Sequence, residues 1–184
     1  VLAVDLRTAR SDDLGETELG ELRAFLTEAF AGRFDDGHWA NALGGTHVLV
    51  EEAGSIIAHA SVVPRTLYFS PDGARWTDAI TRNVGYVESV AVALELRGRG
   101  LGTRVLETVN QIVLDQYGFG TLATSSHPFY EASGWRRWAG PTYAYRDGEV
   151  VRTADGDQWV MVLAPEGTDL THAIACAWRA GDIW

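Results

Sequence analysis

Between residues 14 and 31, Leu19, Leu22, Phe25, Leu26, Ala29 and Phe30 recur at spacings of three and four, which predicts a helix with one apolar face. Asp35-Asp36-Gly37 interrupts the pattern, and His38–Leu43 predicts a short second helix before Gly44-Gly45. Residues 46–52 and 55–63 read as two strands joined by a hairpin turn at Ala53-Gly54. Arg65–Ser70 predicts a third strand, closed by the turn Pro71-Asp72-Gly73. Residues 74–84 carry no clear period and read as an inserted loop or ribbon. Residues 86–93 (YVESVAVA) are apolar enough for a buried strand. Gly98–Gly102 is a glycine-rich turn, after which Leu101, Val105, Leu106, Val109, Ile112 and Val113 predict a helix over 101–115. A strand over 119–125, a short helix at Pro128–Ser133 stopped by Gly134, and a late strand over 158–163 follow, and the tail is Trp178–Trp184. With no repeat and no low-complexity linker, this order predicts one α/β (α+β) domain over 1–184 with a strand–glycine turn–helix unit at its centre.

Composition narrows the chemistry. The chain has 184 residues, 46% hydrophobic and 22% charged, which suits one globular domain. All 15 basic residues are Arg, so phosphate loops ending in Gly-Lys and Schiff-base lysines are both excluded. A net charge of −10 argues against a general nucleic-acid binder. One cysteine, Cys176, excludes an internal disulfide, suits a reducing cytoplasm, and among Ala and Trp reads as packing. The apolar runs fall short of a membrane span, and the start VLAVDLRTAR lacks a secretory pattern, so a cytoplasmic protein is expected. The five His (38, 47, 59, 127, 172) lack metal-ligand spacing and no Gly-x-Ser-x-Gly occurs, so no metal site or serine nucleophile is expected. Charge is uneven: residues 1–52 hold 4 Arg and 11 acids, 53–146 hold 9 Arg and 7 acids, and 147–184 hold 2 Arg and 7 acids. A positive middle suits an anion and acidic flanks suit a cation, although solvated surface gives the same pattern.

Arg97-Gly98-Arg99-Gly100-Leu101-Gly102 follows a buried strand and opens an amphipathic helix. Glycines let backbone approach a ligand closely, and a helix start adds about half a positive charge, so a pyrophosphate fits here. Tight turns also need glycine. The spacing is not that of the dinucleotide fold. Glu88 stands within Tyr86, Val87, Val90 and Val92, where a carboxylate is costly unless it has a task, an edge position or a buried partner.

Arg97-x-x-Gly100-x-Gly102 resembles the acyl-CoA motif of the GNAT acetyltransferases, and Phe129-Tyr130-Glu131-Ala132-Ser133-Gly134-Trp135 is similar to their later signature. Ala29–Gly32, Leu43–Gly45, Ile56–Ala60, Gly85–Glu88 and the terminal Trp178-Arg179-Ala180-Gly181-Asp182-Ile183-Trp184 resemble the aminoglycoside 2'-N-acetyltransferases in particular, over nearly the whole chain. The resemblance implies a GNAT acyl-CoA N-acyltransferase fold, a central mixed β-sheet flanked by helices. Acetyl-CoA is implied as cosubstrate, held by the 90–103 segment: Val90, Ala91, Val92, Arg97, Gly98, Arg99, Gly100, Leu101, Gly102 and Thr103. Glu88 is implied as the base, acting through water, Val90 N–H as the donor polarising the thioester, and Tyr130 as the acid for the leaving thiolate. Glu88, Thr124, Ser125, Asp155 and the acidic tail 176–184, with Asp182 and Trp184, are implied to meet an amino sugar, and a homodimer is a family expectation.

The chain departs from that pattern in three places. Arg33 and His38 stand where the family carries acids, beside Asp35 and Asp36; Gly156 replaces another acid; and residues 72–83 look inserted. An Arg repels polyamines and suits a carboxylate. These changes imply a smaller, less cationic amino sugar such as kasugamycin, and so the kasugamycin 2'-N-acetyltransferase branch. Rival readings are a broad gentamicin- or tobramycin-type enzyme, a GNAT enzyme for another small amine, and a CoA-binding module without catalysis.

Overall fold

The computed structural model describes residues 4–71, 73 and 75–184. The chain divides into two compact units, one formed by residues 1–63 and 87–112, the other by 64–86 and 113–184.

In the first unit, β1 (Val4–Arg10) pairs antiparallel with β2 (Thr46–Glu52), from Val4↔Glu52 to Arg10↔Thr46. In turn β2 pairs antiparallel with the first part of β3 (Ser55–Ser70), with an irregularity at Val50/Glu51, and β3 neighbours β4 (Ile80–Val92). Helix α1 (Glu16–Ala29) starts after Gly15 with Glu16 and Glu18 in its first turn, where carboxylates complement the helix dipole. It buries Leu22, Leu26 and Ala29 against Leu14, Phe34, Leu49 and Ala91. Each of the two leucines contributes about 1.5–3 kcal/mol by leaving water. The helix ends where Ala31 and Gly32 take φ of 53° and 77°, which a continuing helix cannot accommodate. Helices α2 (Asp36–Ala42) and α3 (Leu101–Gln116) complete this unit, though the last turn of α3 falls in the other.

In the second unit the strands run in the order β6–β9–β5–β4–β3–β10–β7–β8. Their ranges are β5 (Gly120–Ala123), β6 (Arg136–Arg137), β7 (Thr142–Arg146), β8 (Glu149–Arg152), β9 (Val160–Leu163) and β10 (Ala173–Ala177). The β4–β5 and β10–β7 pairs are parallel, whereas β5–β9, β6–β9, β7–β8 and β10–β3 are antiparallel, so the sheet is mixed, as expected. Leu67, Phe69, Val84, Phe119, Trp138, Val160, Val162, Ile174 and Cys176 form its core, with Phe69 edge-on to Phe119 and Trp138. The cysteine is fully buried and serves as packing. Short helix α4 (His127–Glu131) starts with proline in its first turn.

One expectation about local structure is corrected and another is narrowed. Residues 55–70 form one continuous strand, because Pro64 sits exposed in it and lacks only an N–H. Of the loop and the ribbon expected over 74–84, residues 80–84 take the ribbon, as the start of β4: Ile80, Thr81, Arg82 and Asn83 are exposed, so no apolar alternation marks them. Asp72 and Ala74, within the expected insertion, lie outside the described residues. Strands β1 and β10 are defined by partners distant in sequence, and β7 and β8 are a short, weakly alternating hairpin, so none of the four is marked by a clear period.

Candidate active site

In the first unit β4 carries Glu88, Val90, Ala91 and Val92, and Arg97–Gly102 leads into α3. Glu88 is half-buried. The next residue, Ser89, has a φ of 53°, a left-handed conformation inside a strand, so β4 bulges between Glu88 and Val90. Simple alternation of Glu88, Val90 and Val92 on one face therefore fails at this point. Gly98 and Gly100 have φ of 76° and 81°, a backbone that L side chains rarely adopt, which explains why glycine is required twice in this turn. The turn itself is exposed, with Arg99 among its exposed residues, and Gly100 O accepts the Arg104 N–H as the helix opens. Arg97 is used structurally: its guanidinium donates to Val92 O at 3.2 Å and to Ala29 O at 2.8 Å, tying the end of β4 to the end of α1. An exposed glycine turn beside an arginine, at the start of a 16-residue helix, suits a diphosphate. Leu101 and Gly102 are half-buried and Thr103 is exposed in that first turn.

Arg33, Asp35, Asp36 and His38 are all exposed in the same unit. Asp35 caps α2 by accepting the His38 N–H at 2.9 Å, and the His38 ring lies 2.8 Å from the same carboxylate. These bonds from His38 hold the Asp35 carboxyl below its usual range. Asp36 pairs with Arg23. Three of the four side chains are therefore engaged in shaping the α2 start.

The second unit contains an open cavity of about 480 Å³. Thr124, Ser125, Asp155, Asp182 and Trp184 line it together, joined by Thr153, Gly156, Trp159 and Gly181. Five expected substrate residues thus converge although they are scattered over 61 positions of sequence, from 124 to 184. Two carboxylates, three hydroxyls and two indoles make a wall that can pair ammonium groups, hydrogen-bond hydroxyls and cover a sugar ring. Among the described residues that line it, Tyr130 is absent. Instead it is buried on α4, edge-on to Phe129 and Trp135, and burial pushes its hydroxyl well above the ordinary value.

Trp184 is held firmly. Its Nε1–H donates to Thr153 Oγ1 at 2.8 Å, and Thr153 Oγ1 lies 3.0 Å from Thr142 Oγ1. Thr142 is fixed in turn by Asp157, which Arg152 pairs with and holds in its charged form. A Cβ on Gly156 would meet Trp184 Cδ1 at 2.8 Å and Thr142 Oγ1 at 2.7 Å, so indole packing leaves that position no side chain. Gly156 stands where the resemblance implies an acid and lines the cavity without one, whereas Trp159 carried no sequence signal of a lining role. Arg65, only 9% exposed, anchors the tail from below. Its guanidinium donates to Ala177 O at 2.7 Å and to Ile183 O at 2.5 Å, and it sits 4.8 Å from the centre of the Tyr86 ring. Arg65→Met is expected to cost about 2–4 kcal/mol, because two carbonyls lose a charged donor, and to lower the thermal midpoint by roughly 5–10 °C in a melting experiment.

Residues 12–135 match the acetyltransferase (GNAT) family. An aminoglycoside 2'-N-acetyltransferase of Mycolicibacterium fortuitum is 38% identical, over 97% of this chain and 93% of its own length. Among solved structures, the GNAT family N-acetyltransferase YhbS of Escherichia coli, crystallised with CoA, superposes with a TM-score of 0.62 at 13% identity over 95% of this chain and 90% of its own. An acyl-CoA N-acyltransferase from Pseudomonas aeruginosa gives 0.58 at 18% identity over 88% of this chain and all of its own. These structural likenesses concern the fold, a mixed sheet flanked by helices.

Proposed function

As this chain belongs to the GNAT acetyltransferase family, we propose that it moves an acetyl group from acetyl-CoA to the 2'-amine of an aminoglycoside. The observation carrying the substrate class is the 480 Å³ cavity, whose two carboxylates, three hydroxyls and paired indoles complement a cationic sugar. The relative's named activity supports the same class.

The chemistry makes four demands. The amine must lose a proton before it attacks, since alkylamines are mostly protonated at neutral pH. Glu88 takes that proton through a water molecule. The nitrogen then bonds to the thioester carbonyl carbon, and the Val90 N–H meets the negative charge that gathers on oxygen. When the carbon–sulfur bond breaks, the nitrogen releases its remaining surplus proton to water, and the thiolate receives a proton from Tyr130, which burial keeps protonated and which water then reprotonates. The exposed turn at Arg97–Gly102 holds the diphosphate of the cosubstrate, with Arg99 adding charge, while Val90, Ala91 and Val92 offer backbone to its extended arm.

Within this class the preferred substrate is kasugamycin. Gly156 offers no carboxylate to the cavity, which reduces its acidic complement, and Arg33, a cation suited to a substrate carboxylate, stands where the resemblance implies an acid. The protein is expected to act in the cytoplasm as a homodimer. A thiol-release assay with acetyl-CoA over kasugamycin, gentamicin, tobramycin and simpler amines tests this. The expected result is kcat/KM highest on kasugamycin, with Arg33→Asp raising its KM. Faster turnover of gentamicin or tobramycin would return the assignment to the broad enzyme.

A further inference from the structure

Four residues of the first unit form an unbroken polar chain that the chemistry above does not use. Ser11 Oγ lies 2.8 Å from His47 Nε2, His47 Nδ1 lies 2.9 Å from His59 Nε2, and His59 Nδ1 lies 2.9 Å from the carbonyl oxygen of Ser89. Both imidazoles belong to residues with no solvent exposure. Two histidines at diagonal positions of a strand pair are a costly choice for a core, where an aliphatic pair packs without needing partners.

The donors and acceptors follow from the chemistry of the groups at the two ends of the chain. A carbonyl oxygen only accepts, so His59 carries its proton on Nδ1. Burial disfavours a second proton, which leaves His59 Nε2 bare to accept from His47 Nδ1–H. His47 Nε2 is then bare and, at 2.8 Å, is a closer acceptor for the Ser11 hydroxyl proton than Gly45 O at 3.3 Å. The Ser11 oxygen in turn receives the Gly44 N–H at 2.9 Å and the Gly45 N–H at 3.3 Å. Every bond thus points the same way, toward Ser89.

Ser89 is the bulged residue of β4, with a φ of 53°. Its carbonyl shares one planar trans peptide with the Val90 N–H, and in such a unit the two groups point in opposite directions. Holding the oxygen therefore fixes the direction of the N–H, away from His59. A donor on the oxygen also draws charge through the amide and strengthens its N–H as a donor, an effect that aligned hydrogen bonds reinforce.

We propose that His59, backed by His47 and Ser11, is a positioning residue that pins and polarises the Ser89–Val90 peptide, so that the Val90 N–H is pre-aimed at the acyl oxygen. This rests on the reading of Val90 as the donor to that oxygen. The histidine pair acts entirely from behind the peptide, touching neither the cosubstrate nor the amine.

Kinetics of His59→Leu and His59→Asn, with CoA affinity by calorimetry, test it. The Asn amide can place an N–H where Nδ1–H stands, whereas Leu cannot. Removing an oxyanion donor outright costs about 10²–10³ in kcat, so loss of its alignment in His59→Leu is expected to cost roughly 10–10² in kcat while CoA affinity stays within about threefold. His59→Asn is expected to recover most of that loss. A Leu variant with unchanged kcat, or an Asn variant as slow as the Leu variant, overturns the proposal. Should the Leu variant fail to fold, ¹⁵N spectra of the histidine rings in the wild-type protein decide: both rings neutral with the proton on Nδ1 is the expected state, and an Nε2–H tautomer at either ring overturns it. A wild-type protein that binds CoA but acetylates no amine overturns instead the functional reading on which the proposal rests.

Discussion

Glu88→Gln is expected to slow acetyl transfer by about 10²–10⁴-fold, the range lost when a positioned general base is removed. The substitution keeps size and shape and removes the negative charge together with the capacity to accept a proton. Glu88 is half-buried at the entrance to the Ser89 bulge, where a neutral amide is no harder to accommodate than a carboxylate. The defect should therefore fall on kcat, with the fold and CoA affinity intact. It should also shrink as pH rises, because bulk water then supplies a growing fraction of neutral amine and the base becomes dispensable. Wild type and variant compared from pH 6 to 9 at saturating acetyl-CoA provide the measurement. A variant that keeps full activity at pH 7 would remove Glu88 from the chemistry and favour amine that arrives already neutral.

The second large effect concerns acid. Burial holds His47 at about 4 and His59 at about 3, against an ordinary value of 6.5; the adjacent His47 ring lowers His59 further, while Glu18 partly offsets the burial of His47. Below about 6.5 the unfolded chain takes up protons at both rings that the folded chain refuses, so stability falls as pH falls; above 6.5 both states are neutral and this slope vanishes. At pH 5 the loss is about 2 kcal/mol per ring, hence on the order of 4 kcal/mol for the pair relative to pH 8. That is a large share of the stability of an ordinary domain. The carboxylates held low here, Asp157 chiefly by Arg152 and Asp169 by Thr171, lose their contribution only at and below the ordinary carboxylate range, so they do not mask the histidine window. Urea unfolding at pH 5, 6, 7 and 8 is expected to show the steepest change between 5 and 6.5, and replacing both rings with Asn is expected to flatten it. Equal stability at pH 5 and 7 in the wild-type protein would mean that the rings are not held neutral.

Legibility differed between the parts of the molecule for identifiable reasons. Helix α1 was readable because its apolar residues repeat at helical spacing and its face is buried within the same unit. The turn at 97–102 was readable because positive φ at Gly98 and Gly100 demands glycine, and that demand leaves a mark in the sequence. Strand β10 was not, because its stability comes from pairing: it lies between β3 and β7, whose residues are about 30 to 110 positions away. The cavity shows the same division. Thr124, Ser125, Asp155, Asp182 and Trp184 were nominated by resemblance, yet Trp159 and Thr153 became lining residues only through folding.

The histidines mark the limit most clearly. Spacing alone gave His47 and His59 no role, since twelve positions apart they match no ligand pattern. Pairing β2 with β3 brings Leu49 opposite His59 and His47 opposite Ser61, one step diagonal to each other on the same face, so that their rings meet. Periodicity and glycine demand are local properties, written by neighbours a few residues apart, and from them the chain alone determined its class, its first helix and its glycine-rich turn. Register, bulge and cavity are set by contacts between distant segments whose energies no short window contains. Only the tertiary structure could decide that two core histidines hold a peptide of β4, that Arg97 ties β4 to α1, and that Arg65 fastens the tail which brings Trp184 against Gly156.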